Sequence, residues 1–292
     1  MALLNLTDIL AVADKHNFAV GAFNAIDSNF IDAVFDAANV NRSPVIINVA
    51  EVHLPYIDIY ATADYIKKKA ADSGLPVCLN LDHGFTFSTI ETAVQCGFSS
   101  IMFDGSGLSY EQNLAQTRKV VELCHRYNIS VEGELGAVGG DEGGALESAA
   151  DTALYTPPEQ AADFVQSTGI DALAVAIGNT HGKYKGVPKL DFARLTQIDN
   201  AVPIPLVLHG GSGLSAEDFR NAIARGIRKI NFFTGMSQAA LQSIEQDVAT
   251  TALVHKYNYY LIMMENMQRA ISTTVAQQMA IFNSIHKAEL YD

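Results

Sequence analysis

Three histidines share one local setting. His83 lies in Asn80-Leu81-Asp82-His83-Gly84, His181 in Ile177-Gly178-Asn179-Thr180-His181-Gly182, and His209 in Leu208-His209-Gly210-Gly211-Ser212-Gly213. Each follows an apolar run and precedes a glycine. Neutral imidazole is a good ligand for Zn2+, and three protein ligands leave a position open for a substrate. His16, His53, His125, His255 and His286 lack this setting and read as structural or solvated.

Carboxylates surround the same runs. Asp82 precedes a proposed ligand, so its side chain starts on the opposite face of the strand and must turn at the rim to reach a pocket. There it could exchange a proton with a hydroxyl; the alternative is a helix cap. Asp104 and Glu134 could hold a second cation or an alternative zinc position, or accept hydrogen bonds from the histidines. Gly182, Gly210, Gly211 and Gly213, with Ser212 and Thr234, offer N–H groups and hydroxyls that could cradle a phosphate at a helix N-terminus.

These residues need a scaffold that gathers strand ends. Eight short apolar runs recur: Phe18–Asn24, Pro44–Ala50, Val77–Asp82, Ser100–Asp104, Ser130–Leu135, Ala172–Ile177, Leu206–His209 and Lys229–Phe233. Several are nearly continuous in apolar residues, as in strands buried on both faces. Helical periodicity separates them, as at Ile31–Ala38 and Leu114–Cys124, and Ser215 is placed to cap a helix that begins with Glu217 and Asp218. The alternation predicts a (β/α)8 TIM barrel over residues 1–292, as one domain, rather than a doubly wound open sheet. Polar residues end six consecutive runs, and a barrel gathers those ends at one face, whereas an open sheet usually places its functional groups at one switch point.

Two regions depart from the repeat. Gly136–Tyr155 is glycine-rich and reads as a mobile loop over the site. Met236–Asp292 has neither Gly nor Pro, so it reads as a helical C-terminal extension with few interruptions. Its Tyr259–Met264 cluster is a candidate interface for a homodimer or homotetramer.

Composition narrows the partners. The net charge of −13 and the 49% hydrophobic content speak for a globular chain and against nucleic acid or an anionic membrane surface. No run of about 18 apolar residues marks a membrane span. The start, Met1-Ala2-Leu3-Leu4-Asn5, lacks the features of a secretory signal. The three cysteines fit no metal or redox spacing and read as reduced and buried. Together these points predict a cytoplasmic protein.

The motifs resemble those of the class II ketose-bisphosphate aldolases. The likeness runs from Gly21-Ala22-Phe23-Asn24 through Leu81-Asp82-His83, Asp104-Gly105-Ser106, Glu134-Leu135-Gly136 and Gly139-Gly140. It continues through Ala174–Gly178, His181-Gly182, Leu208–Gly213 and Lys229-Ile230-Asn231, and is nearest to the tagatose-bisphosphate and fructose-bisphosphate branches. It implies reversible aldol cleavage of a phosphorylated ketose to dihydroxyacetone phosphate and an aldehyde. Zinc on His83, His181 and His209 would polarise the ketose carbonyl. Asp82 would take the C4 hydroxyl proton, and Glu142 would serve the C3 proton. The resemblance places Glu134 at a displaced zinc position, Asp104 beside the metal and Asn231 on the ketose. Gly182, Gly210, Ser212 and Thr234 match the region for phosphate and a monovalent cation such as Na+ or K+.

The chain departs from that pattern in places. Phe233 is bulky where relatives have a small or acidic residue, and Gly235 lacks the usual carboxylate. The tail lacks the arginine-rich pattern, with Arg269 as the nearest substitute. These departures bear on the aldehyde half of the substrate, so another ketose 1-phosphate is the alternative. A metal-dependent barrel hydrolase and a non-enzymatic barrel are further readings that the phosphate cradle and the full residue set disfavour.

Overall fold

The computed structural model describes residues 3–139, 147–148, 154–184, 186–249 and 259–291. Eight parallel strands close into a barrel: β1 Val20–Asn24, β2 Val45–Ala50, β3 Val77–Gly84, β4 Ser100–Phe103, β5 Ser130–Leu135, β6 Ala172–Val175, β7 Leu206–Leu208 and β8 Ile227–Phe232. Each of the eight apolar runs contributes one strand. The ring closes where Val20 of β1 pairs with Lys229 of β8.

Alternation along the strands divides two cores. Outward residues such as Phe23, Ile47, Leu79, Val131, Leu173 and Ile230 join the cluster shared with the surrounding helices. Inward residues Val20, Ala22, Ile46, Cys78, Ala172, Ala174 and Val207 form a separate cluster inside the ring. That inner cluster is completed by Leu6, Ile9, Leu10 and Ala13 of helix α1, Leu6–Lys15. The sequence reading did not include α1. Asn5 caps it by accepting from the Asp8 N–H at 2.8 Å, and its apolar face stops the lower end of the barrel. Each fully buried Leu or Ile contributes about 1.5–3 kcal/mol.

The outer layer contains α2 Ser28–Asn41, α3 Ile59–Ser73, α4 Phe87–Gln95, α5 Tyr110–His125, α6 Pro158–Thr168, α7 Phe192–Ala201, α8 Ala216–Ile223, α9 Thr234–Ala249 and α10 Tyr259–Ile281. Ser215 caps α8 in a reciprocal capping box with Asp218, as its position in the sequence indicates. The tail is more than an extension. Helix α10 buries Met267, Ile271, Val275 and Met279 and packs against α2, α8 and α9, so it occupies the barrel's eighth outer place. Helix also ends sooner than the lack of Gly and Pro implies. After Ile281 the backbone turns at Asn283 and His286, both with φ near +60°, and the His286 N–H donates to the Asn41 carbonyl at 2.8 Å.

All three cysteines are free and buried. Among the described residues no helix is long and apolar enough to cross a membrane. At the C-terminal end of the barrel, Glu147–Ser148 pairs in parallel with Lys183–Tyr184. The His181 N–H donates to the Gly139 carbonyl at 2.7 Å. Glu142 lies outside the described residues.

Candidate active site

Toward the C-terminal ends of the strands the inward positions change character. Asn24, Asn48, Asn80, Asp82, Glu132, Glu134, His209, Lys229 and Asn231 are all buried there. The amides form a run around the wall. Asn80 donates to Asn48 at 3.0 Å, Asn24 donates to one oxygen of Asp82 at 3.2 Å, and Asn231 donates to the other at 2.8 Å.

Here the structure corrects the expected strand phase. Asp82 is itself an inward residue, in step with Cys78 and Asn80, and needs no turn to reach the pocket. His83 is the residue that breaks step. Its φ of +43° puts it in the left-handed region, where a non-glycine residue stores roughly 1–3 kcal/mol of strain. That distortion brings a second consecutive side chain into the site. Asp82 does not cap α4; Thr86 does, accepting from the Thr89 N–H at 3.2 Å.

The three histidines converge. Ring centroids lie 4.9 Å apart for His83 and His181, 4.7 Å for His83 and His209, and 5.8 Å for His181 and His209. Hydrogen bonding fixes how two of the rings are used. His83 Nδ1 is 2.8 Å from Asp104 Oδ2, and His209 Nε2 is 2.8 Å from Glu132 Oε1. Since a carboxylate only accepts, those nitrogens carry the protons. The other nitrogens, His83 Nε2 and His209 Nδ1, face each other at 3.1 Å. The Asn231 side-chain N–H also lies 3.2 Å from His209 Nδ1, and two ring nitrogens held this close suit a proton or a metal ion between them. Two nitrogens on one tetrahedral Zn2+ at about 2.0–2.1 Å would stand roughly 3.3 Å apart.

The surrounding charges fit a divalent cation. Asp82, Asp104 and Glu132 stand around the histidines, and the buried Lys229 Nζ is 2.6 Å from Glu132. Burial pushes Asp82 up, but His83, Lys229 and His209 outweigh it and leave the carboxyl below its usual value. Burial likewise opposes ionisation of Asp104, and the bonds from His83 and Ser106 reverse that effect. Glu134 is held well above the ordinary carboxylate range by burial and by Asp104. Acidic side chains thus outnumber Lys229 around the histidines, a balance that suits a divalent cation. His181 and His209 are held well below 6.5 by burial and by His83, which leaves their lone pairs available. His83, Asp104 and Glu134 form a second possible ligand group beside the first.

Around the mouth, Asn80 Oδ1, Thr180 Oγ1, Glu134 Oε2 and Asn231 Oδ1 are among the buried atoms without a hydrogen-bond partner. Such orphans cost about 1–3 kcal/mol each unless a ligand completes them.

The expected phosphate residues also gather. Gly182, Gly210, Ser212, Asn231 and Thr234 line one small recess with His181 and Phe233. Gly182, Ser212 and Thr234 open onto a neighbouring cavity of about 360 Å3 at the start of α9. Gly210 is required there: with φ +65°, any Cβ would lie 2.2 Å from the Thr180 carbonyl oxygen. Gly235 is also constrained, because a Cβ would meet the Phe232 ring at 2.4 Å. Phe233 packs on His53 and Phe30, with centroids 4.9 and 6.4 Å away, as an aromatic wall beside Asn231. Arg269 is on the exposed face of α10, paired with Glu265 at 2.8 Å.

The sequence reading gave no role to Glu132 or Lys229. The signal was present: Lys229 is two residues from Asn231, hence inward, and a buried lysine needs a carboxylate.

Comparison with known proteins agrees with this geometry. Residues 4–287 match the family model described as fructose-bisphosphate aldolase class-II. The chain is 36% identical over 291 residues to the "Probable fructose-bisphosphate aldolase" of Bacillus subtilis (strain 168), covering 99% of this chain and 100% of that one. It is 35% identical over 292 residues to the fructose-bisphosphate aldolase of Staphylococcus aureus (strain Mu50 / ATCC 700699), with 99% and 100% covered. The crystal structure of the YdjI aldolase from Escherichia coli K12 superposes with a TM-score of 0.86 at 31% identity, covering 98% and 99% of the two chains. A polar barrel mouth with three convergent histidines and an ionised aspartate, matched over nearly its full length, makes this chain a member of the class II fructose-bisphosphate aldolase family, a carbon–carbon lyase.

Proposed function

We propose that this chain is a zinc-dependent aldolase that reversibly cleaves a ketose 1-phosphate, of the fructose or tagatose 1,6-bisphosphate type, to dihydroxyacetone phosphate and an aldehyde. The observation that carries the reading is the pairing of His83 Nε2 and His209 Nδ1 at 3.1 Å, beside the buried carboxylate of Asp82. His83, His181 and His209 would hold the ion. When bound, zinc supplies Lewis acidity at the ketose carbonyl.

The chain's own groups do the rest. Asp82 is oriented by Asn24 and Asn231 and accepts the C4 hydroxyl proton as the C3–C4 bond breaks. The free Oδ1 of Asn231 accepts a hydroxyl of the ketose. Glu142 returns a proton to C3; Gly139, shortly before it in sequence, is tied to His181. Glu134 and Asp104 offer a displaced metal position beside His83. The phosphate is placed against Gly182, Gly210, Ser212 and Thr234, where the N-terminus of α9 favours an anion, with Na+ or K+ as a further ligand.

Phe233 supports a second version of the substrate, a ketose 1-phosphate with a different aldehyde half, because its aromatic wall replaces a small or acidic surface. Exposed Leu241, Val248, Tyr260 and Leu261 on α9 and α10 support a homodimer or homotetramer through that face. The barrel acts as one domain in the cytoplasm. Mixing zinc-loaded protein with ketose bisphosphates and following dihydroxyacetone phosphate by coupled reduction tests the activity. Turnover that a chelator abolishes and zinc restores is expected; no product from any ketose 1-phosphate rejects the reading.

A further inference from the structure

At the mouth of the barrel, Glu51 is a carboxylate to which the reaction gives no role. Glu51 begins a single 3-10 turn, Glu51–His53, directly after β2. It accepts four hydrogen bonds from the segment that follows His83. Its Oε2 receives the Phe85 N–H at 2.6 Å and the Thr86 N–H at 3.1 Å. Its Oε1 receives the hydroxyls of Thr86 at 2.8 Å and Thr89 at 3.0 Å. Phe85 in turn stacks on the His83 ring, with centroids 6.2 Å apart and planes 20° apart.

The need for such a clamp is local. His83 sits in a strained left-handed conformation at the end of β3, and strain persists only where neighbours over-determine it. On one side Asp104 fixes the ring through Nδ1. On the backbone side, the chain must leave Gly84 in a direction that keeps φ positive at residue 83. Gly84 itself is packed tightly: a Cβ there would come within 2.9 Å of the Met102 carbonyl oxygen. The two N–H groups at positions 85 and 86 belong to the entrance of α4, where backbone donors have no intrahelical partner. Glu51 takes both, from a different strand.

We propose that Glu51 is the positioning residue for His83: by binding the Phe85 and Thr86 amides it holds His83 in the left-handed conformation that presents Nε2 to the metal. The proposal rests on His83 being a metal ligand, as in the function proposed above. Glu51 touches neither metal nor substrate. It lowers the cost of assembling the ligand set, so its removal acts on metal affinity before it acts on chemistry.

The test is zinc affinity, by competition with a chromophoric chelator, in folded wild type, Glu51→Ala and Glu51→Gln. Loss of an outer partner of a ligand typically costs about 10–100-fold in affinity, and Glu51→Ala is expected to weaken zinc by that amount. Glu51→Gln keeps one carbonyl oxygen for the two amides, while the threonine hydroxyls turn to accept from its NH2, so its affinity is expected to remain within about threefold of wild type, well inside the 10–100-fold range. Activity per bound zinc, at saturating metal, should recover in Glu51→Ala. If the alanine variant does not fold, hydrogen exchange on zinc-free wild type decides: the Phe85 and Thr86 amides must be protected. Wild-type zinc affinity in folded Glu51→Ala, or free exchange at those two amides, overturns the proposal. Zinc binding without any aldol cleavage by the wild type would instead reject the function and leave this proposal standing.

Discussion

The inside of the barrel has two halves built on the same eight strands. The lower half, closed by α1, contains Val20, Ala22, Ile46, Cys78, Ala172, Ala174 and Val207. The upper half contains Asn24, Asn48, Asn80, Asp82, His209, Lys229 and Asn231. One or two steps of the same two-residue period separate them: Ala22 from Asn24, Ile46 from Asn48, Cys78 from Asp82, Val207 from His209. Apart from the positive φ at His83, both halves are regular strand, so the rest of the difference lies in side chains. The lower half is held by area removed from water. The upper half is held by mutual hydrogen bonds, yet it leaves buried polar atoms such as Asn80 Oδ1, Glu134 Oε2 and Asn231 Oδ1 without a partner.

Substitutions in each half should therefore fail differently. The largest effect is expected in the upper half, at the ligands: His209→Ala should abolish cleavage and lower zinc content, measured by coupled assay and metal analysis. Full zinc and full activity in that variant would remove the distinction at its root. Next comes Asp82→Asn, which keeps the shape and loses the base. A loss of about 10²–10⁴-fold in kcat with zinc retained is expected. Lys229→Met then tests whether the upper half depends on charge balance. It leaves Glu132 buried with one partner fewer, and removing one member of a buried pair costs roughly 3–5 kcal/mol, read as a lower denaturant midpoint with weaker zinc binding.

The lower half supplies the contrast. Leu10→Ala, in the α1 plug, should cost about 2–5 kcal/mol of stability and leave kcat of the remaining folded protein unchanged. A fall in kcat without a fall in stability would show that the halves are coupled. The smallest effect is in pH. In zinc-free protein, His181 and His209 are held neutral by burial, below the ordinary 6.5. The unfolded chain takes up those protons first, so stability falls as pH drops below about 6.5. Leu10→Ala should keep that slope, and His209→Ala should reduce it.

The sequence exposes the upper half better than the lower. Polar residues interrupting apolar runs are conspicuous, so His83, His181, His209 and Asp82 stand out, as do the eight strands that end in them. The Lys229–Glu132 pair is less visible, because the partners are far apart in sequence and only strand phase puts both inside. The phase of Asp82 and His83 is not legible in the sequence, because a period of two cannot foresee a positive φ at a non-glycine residue. Helix α1 is amphipathic, yet nothing in its own residues says that its apolar face fits the end of a ring. In the tail, the absence of Gly and Pro says where helix is allowed; contact with α2 decides where it is used.

The pairing of β1 with β8 also has a consequence for synthesis. Asn24 ends the first strand and Ile227 begins the last, and β1 gains its second neighbour only when β8 arrives. At about 5–20 residues per second, the roughly 200 residues between them take about 10–40 seconds to be made. For that time the nascent sheet carries two open edges in an unfinished chain, each a template for pairing with another copy. Until the ring can shut, pairing of those edges with another copy competes with closure on β8.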